Sequence, residues 1–281
     1  MKFYDSRWIE FGRKDNLCQQ ISDITGIRPR VLRGADPTKL TVAERMSWAS
    51  GRMTSRVEDI AYSLMGLFNV FTPMLYGEGY RAFTRLQEEI MKQSEDYTIF
   101  AWKSRSSDSV RRGILAHCPD EFESSLRTQE RTQDTAQVLT KYTTPEHQLH
   151  IPTALTSRGL TIGLPLLRQD VNENDIPDLS DLTLSSSSRA SDLRQRSQGT
   201  VSTPGENTLL SPGTYLALIC RSHHRTGVVS SILCIWLQNH GENGVFRRLS
   251  PGKVVLLPND RASEFKIHTI YVLPSGTEEL E

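Results

Sequence analysis

The sequence predicts an α+β protein: a helical N-terminal region leading into an antiparallel β sandwich or open barrel with a disordered insertion. Three observations predict it. Apolar residues recur with a helical period up to about residue 95. Short β-branched and aromatic runs, parted by Gly, Pro and Asn, take over after Asp96. A Ser-rich stretch nearly free of aromatics then interrupts those runs. The expected division is residues 1–95 and 96–281, with the insertion at about 170–211.

Residues 3–11 carry Phe3, Tyr4, Trp8 and Phe11 and read as an opening strand or turn. Asp15 is placed to cap a helix bearing Leu17, Ile21 and Ile24, and Gly26 sits where a left-handed residue closes one. Thr41 and Glu44 fit a capping box, followed by a short helix with Met46, Trp48 and Ala49 before Gly51. Ser55 and Glu58 fit a second box. Beyond it Val57, Ile60, Ala61, Leu64, Met65 and Phe68 form an apolar stripe of helical period.

Pro73, Gly77 and Gly79 break the chain before a helix over about 80–94. Its inward positions are Phe83, Leu86, Ile90 and Met91, with Arg85 and Glu89 a turn apart on a solvated face. Residues 97–102 then read as a strand. Further strands are expected at 148–155, 160–167, 215–221, 228–237, 244–248, 253–257 and 266–273. The segment LSSSSRASDLRQRSQGTVSTPGEN offers too little apolar surface to offset its chain entropy, hence the predicted disorder.

The bulk composition narrows the function classes. Apolar residues are 37%, low for a globular chain, which fits a folded protein carrying a polar insertion. Lys plus Arg balances Asp plus Glu at 33 each, so no global field draws nucleic acid or an anionic membrane. Cys18, Cys118, Cys220 and Cys234 have no metal spacing and read as reduced thiols. No apolar run reaches the roughly 20 residues of a membrane span. The first residues lack the apolar middle of a signal peptide, so a cytoplasmic or nuclear address is the default, and cytoplasmic is expected.

Several motifs have structural explanations. Gly77-Glu78-Gly79 lacks the remaining glycines and the Lys of a phosphate loop. His147 and His150 fall on a predicted strand, pointing to opposite faces, and His223/His224 have no companion ligand, so no metal is expected. No G-x-S-x-G elbow appears. Trp48 and Trp102 read as core residues. Glu58 and Asp59, in the first turn of the best helix, complement its dipole.

The most specific signal is a succession of blocks. Arg45-Met46-Ser47-Trp48-Ala49 is followed by Thr54 and Arg56-Val57-Glu58-Asp59-Ile60-Ala61-Tyr62, then Leu64-Met65-Gly66-Leu67-Phe68. Pro73-Met74-Leu75-Tyr76-Gly77-Glu78-Gly79, Ala82-Phe83, Arg85-Leu86-Gln87-Glu88-Glu89-Ile90 and Phe100-Ala101-Trp102 complete it. This order resembles the C-terminal part of the heterokaryon-incompatibility (HET) domain of filamentous fungi. Arg112-Gly113-Ile114-Leu115-Ala116, Ser157-Arg158-Gly159-Leu160 and Tyr215-Leu216-Ala217-Leu218 resemble the β-rich region that often follows that domain. The upstream half of the domain, with its YxxLSYxWG-like segment, has no counterpart here, so the resemblance implies a fragment.

That resemblance implies fungal non-self recognition through protein contacts, with a link to programmed cell death. Two alternatives stand beside it: a TIR-like NAD-consuming hydrolase, and an inactive scaffold or degenerate paralogue. For the enzyme, Glu78 is the candidate catalytic carboxylate, with Arg45, Arg56, Glu58, Asp59 and Tyr76 converging on it in a polar pocket. No bound cofactor is expected. The partners expected are proteins, still unidentified, with neither nucleic acid nor a membrane span.

Overall fold

The computed structural model describes residues 1–104, 112–122, 153–157, 159–169, 210–223, 229–239 and 245–274. Most of the expected insertion, His147 and His150, and the start of the strand expected at 148–155 lie outside the described residues. Helices come first and a largely antiparallel seven-stranded sheet follows, so the chain is α+β.

A hairpin opens the chain, pairing β1 (Lys2–Tyr4) with β2 (Glu10–Arg13). The Asp5 carboxylate accepts the Arg7 and Ile9 amides, both at 2.9 Å, which closes the turn. Helix α1 (Cys18–Thr25) ends as expected at Gly26, whose φ is 70°. Its start corrects the expected Asp15 cap: Leu17 stands at the N-cap, held by a backbone bond from its amide to the Arg13 carbonyl. Helix α2 (Pro29–Leu32) follows with Pro at its first position.

Helix α3 (Val42–Ser47) begins at Thr41, whose hydroxyl accepts the Glu44 amide at 3.3 Å. The Glu44 carboxylate pairs with the Arg28 guanidinium. Helix α4 (Val57–Phe68) starts one residue later than expected, at Arg56, with no side-chain cap. The Ser55–Glu58 box therefore does not form, because Glu58 bonds elsewhere (below). Ala61, Leu64 and Phe68 are buried as the stripe requires, but Val57 is 42% exposed because the first turn lies at the surface. Asn69 closes α4 in the left-handed conformation, φ 54°, one of the few non-glycine residues that tolerates it.

Helix α5 (Arg81–Gln93) buries Phe83, Leu86 and Ile90. It also buries Gln87, whose amide donates to the Ala116 carbonyl at 2.8 Å and accepts the Ala116 amide at 3.0 Å. Gln87 thus pairs with the 112–116 segment as a neighbouring strand would.

Residues 97–102 are not a strand. Tyr97–Phe100 is a 3₁₀ turn, and Asp96 is the reason. Its Oδ1 accepts the Thr98 amide and hydroxyl, while Oδ2 accepts the Val42 amide at 2.7 Å. The Thr98 hydroxyl in turn accepts the Ala43 amide at 3.2 Å. Two otherwise orphaned donors at the start of α3 are met this way, which a strand could not do.

The sheet contains β3 (Ala154–Thr156), β4 (Gly159–Gln169), β5 (Gly213–His223), β6 (Val229–Asn239), β7 (Val245–Arg248), β8 (Val255–Pro258) and β9 (Lys266–Val272). Strands β4, β5, β6, β7 and β9 pair in that order, and β9 pairs back to β4, so their hydrogen bonds form a closed circuit. The β7–β9 pairing is parallel, where an all-antiparallel sheet was expected. Strand β8 pairs antiparallel with the first half of β6, from Ser231 to Cys234.

Alternation along β5 and β6 serves two apolar clusters. Tyr215, Ala217, Ile219, Leu233, Ile235 and Leu237 face the cluster that also holds α3, α4 and α5. Leu216, Leu218, Ile232, Cys234 and Trp236 face the other, with Val255 and Leu257. One core thus runs continuously from the helices into the sheet.

Leu64 is 5% exposed inside that core. Leu64→Ala is expected to cost about 2–5 kcal/mol in urea unfolding, whereas Val57→Ala, on the same stripe, should change stability by about 0.5 kcal/mol or less. Equal losses at both positions would refute this placement of the helix.

Candidate functional site

The predicted polar residues gather where loop 71–80 crosses the start of α4. Two glycines make that crossing possible. Gly77 (φ 98°) and Gly79 (φ 57°) are both left-handed, which turns their amides toward α4. Glu58 Oε1 accepts both, at 2.7 Å from Gly77 and 3.1 Å from Gly79. Its own backbone amide, and then those of Gly77 and Gly79, hold its carboxyl below the ordinary value of 4.5.

Around this point the contacts interlock. The Tyr76 hydroxyl donates to Asp59 Oδ1 at 2.9 Å, which raises the tyrosine's pKa. The Arg56 guanidinium lies 4.8 Å from the Tyr76 ring centroid. The Tyr76 ring also meets Tyr62 edge-on, with centroids 5.7 Å apart. The Tyr62 hydroxyl lies 2.9 Å from the Leu75 carbonyl and 3.0 Å from Glu78 Oε1, its one proton shared between them. Burial first, and then the bond to Glu78, raises the Tyr62 pKa.

Glu78 also forms an ion pair with Arg85 from α5. Arg85 reaches further, to the Thr72 hydroxyl and to the Pro73 carbonyl at 2.7 Å. The expected Arg85–Glu89 pair is replaced by this contact, and Glu89 pairs instead with Lys92. The loop is therefore tied to α4 by Glu58, Asp59 and Tyr62 and to α5 by Arg85.

Five of the six predicted residues thus come together: Arg56, Glu58, Asp59, Tyr76 and Glu78. Arg45 does not. It donates to the Leu67 carbonyl at 3.1 Å and lies 4.4 Å from the Phe68 ring centroid. Leu67 is nine residues beyond Glu58, about 13 Å along the helix axis. Burial lowers the Arg45 pKa, consistent with its place under the far end of α4.

Sequence reasoning missed Tyr62 and Arg85 as members of the cluster. For Tyr62 the signal was its spacing, one turn beyond Glu58; Arg85 carried no local signal, because its partner Glu78 lies in the loop.

A second polar assembly was also missed. Arg248, fully buried in β7, donates to the Phe100 carbonyl at 2.8 Å and the Trp102 carbonyl at 2.5 Å. Its guanidinium carbon is 3.8 Å from the Trp102 ring centroid, and that of Arg112 is 4.6 Å away. Arg112 pairs with Glu121, and the Trp102 indole donates to the Ile114 carbonyl at 2.7 Å. Burial pulls the Arg248 pKa down to about 9, so the group stays charged at neutral pH. Among the described residues there is no cluster of three or more His, Cys, Asp and Glu placed to hold a metal ion. No helix among them is long and apolar enough to cross a membrane.

Comparison with known proteins adds two matches. Residues 81–166 match a family described as a domain of unknown function (DUF8212), a span that runs from α5 into β4. Over 93 residues the chain is 41% identical to the vegetative incompatibility protein HET-E-1 of Podospora anserina. That stretch takes in 33% of this chain but only 7% of the curated relative, so the chain spans a small part of that protein. No solved structure matches. The chain is thus related in sequence to a fungal vegetative incompatibility protein.

The depressed Glu58 carboxyl gives a pH signature. Its stabilisation is complete above the unfolded value of about 4.5 and is lost as pH falls through the lower folded value. Glu58→Gln should therefore lower Tm at pH 7, and the gap from wild type should narrow as the pH drops below about 4.5. A gap that stays constant down to pH 2 would mean that the carboxylate's charge contributes nothing to the clasp.

Proposed function

We propose that this chain acts in fungal non-self recognition, as part of a vegetative incompatibility protein that works through protein contacts and is linked to programmed cell death. The observation carrying the reading is the 41% identity over 93 residues to an incompatibility protein. The ordered blocks from Arg45 to Trp102 support it and favour a HET-domain origin for this part of the chain. The matched stretch is a small fraction of the relative, so the activity of the whole protein is carried over here only as a proposal. A cytoplasmic location accords with a reaction that follows hyphal fusion.

In this reading the cluster at loop 71–80 is a structural clasp. Glu78 Oε1 already takes both the Arg85 guanidinium and the Tyr62 hydroxyl, and Glu58 holds two backbone amides. Carboxylates committed this way fix backbone geometry and are poorly placed to stabilise a developing cation on a nicotinamide riboside. The geometry favours contact-mediated action over NAD cleavage.

The test is a chimera. The matching stretch of the Podospora protein is replaced by that of this chain, and the chimera is expressed in a fungal strain that gives the incompatibility reaction. Growth arrest should persist at comparable soluble protein levels. A stable, soluble chimera that gives no reaction would overturn the proposal. In parallel, the purified chain should consume no NAD; turnover abolished by Glu78→Gln would replace the contact reading with the enzymatic one.

A further inference from the structure

We propose that the outer face of loop 71–80 is a docking surface for an acidic, amphipathic segment of a partner protein. The inference rests on the contact-mediated function above and deepens it by naming a surface and the chemistry it fits.

The loop concentrates exposed apolar side chains. Phe71 is 85% exposed, Met74 60%, Leu75 53%, Tyr76 52% and Tyr80 65%, all within ten residues. Single exposed apolar residues are ordinary on a protein surface, but five within ten residues of one loop are a concentration of the kind that marks an interaction site. A slack loop would fold such side chains inward. This loop cannot, because it is held at Thr72, Pro73, Leu75, Gly77, Glu78 and Gly79 by Arg85, Tyr62 and Glu58. The apolar groups are presented on a pre-ordered backbone, which lowers the ordering cost of binding.

Charge selects the partner. Glu58 is buried against the glycine amides and Glu78 is paired with Arg85, while Asp59, half-buried, accepts the Tyr76 hydroxyl. The charges left at the surface are the exposed Arg56, over the Tyr76 ring, and the exposed Arg81, next to Tyr80. An apolar strip edged by arginines complements a segment that alternates Leu or aromatic residues with Asp or Glu. A second copy of this chain would bring the same two exposed arginines and no exposed acidic strip to meet them. Two arginines beside one loop are also few for an anionic bilayer, where stable attachment draws on a larger basic cluster.

The test uses the full 281-residue chain, immobilised and panned against a random dodecapeptide display library. Enriched peptides are resynthesised and their affinity measured by fluorescence anisotropy. The expected consensus carries acidic residues interspersed with Leu, Phe or Trp, and binding weakens as salt is raised. Arg81→Glu and Phe71→Ser should each weaken binding by about tenfold or more, with Tm unchanged because both side chains are exposed. An absent or basic consensus, affinity unchanged in both variants, dimerisation lost with Phe71→Ser, or binding to phosphatidylserine vesicles in place of peptides would each overturn the proposal. A working chimera with no acidic peptide selected refutes only the docking surface. A silent chimera with acidic peptides bound refutes only the incompatibility reading.

Discussion

The contact between Arg248 and the 100–102 segment is the constraint on which the rest of the structure depends. Moving a guanidinium out of water costs several kcal/mol unless its donors are met. Arg248 is wholly buried, so its surroundings must supply acceptors; Nη1 and Nη2 find them, while Nε has none. They come from the end of the Tyr97–Phe100 turn, where the Phe100 and Trp102 carbonyls are aimed at the cation and the Trp102 ring lies against it. The carbonyl end of a helical turn is a favourable place for a positive charge. Because Arg248 belongs to β7 and the acceptors belong to the segment after α5, the contact ties sheet to helices. Arg112, Glu121 and Ile114 then close around Trp102.

The same device recurs at three irregular places among the described residues. Glu58 accepts amides of a loop that has no strand to pair with, and Asp96 and Thr98 accept the amides at the start of α3. Gln87 meets both the amide and the carbonyl of Ala116. Each is a polar side chain replacing a missing backbone partner, as buried peptide groups demand. The incompatibility-type blocks are rich in such residues. Glu58 and Gln87 are the members of those blocks that serve this accounting.

The sequence made the helices and most strands legible because those depend on local period and on caps, as the stripe ending at Phe68 and the left-handed Gly26 illustrate. What it hid depends on contacts between residues far apart in the chain. Residues 97–102 have the composition of a strand, but Asp96 caps them locally into a turn through Thr98, and the distant amides of Val42 and Ala43 hold Asp96 and Thr98 there. Arg85 looked solvated because helical spacing offered Glu89 as a partner, whereas Glu78 lay in a loop of unknown path. Arg248 gave no local sign of burial at all. Of the candidate residues, block order brought together those flanking Gly77 and Gly79, while Arg45 stands apart because adjacency of blocks says nothing about which end of α4 they meet.

The central claim is that helices and sheet form one cooperative unit joined through Arg248 and the 100–102 segment. The most direct measurement is equilibrium unfolding in urea followed by two probes on one sample. Far-ultraviolet circular dichroism reports the helices, and pulsed alkylation of Cys220 and Cys234, buried in β5 and β6, reports the sheet. The account predicts coincident midpoints for the two probes. Cysteine labelling that precedes or follows the loss of helical signal by a separate transition would contradict it.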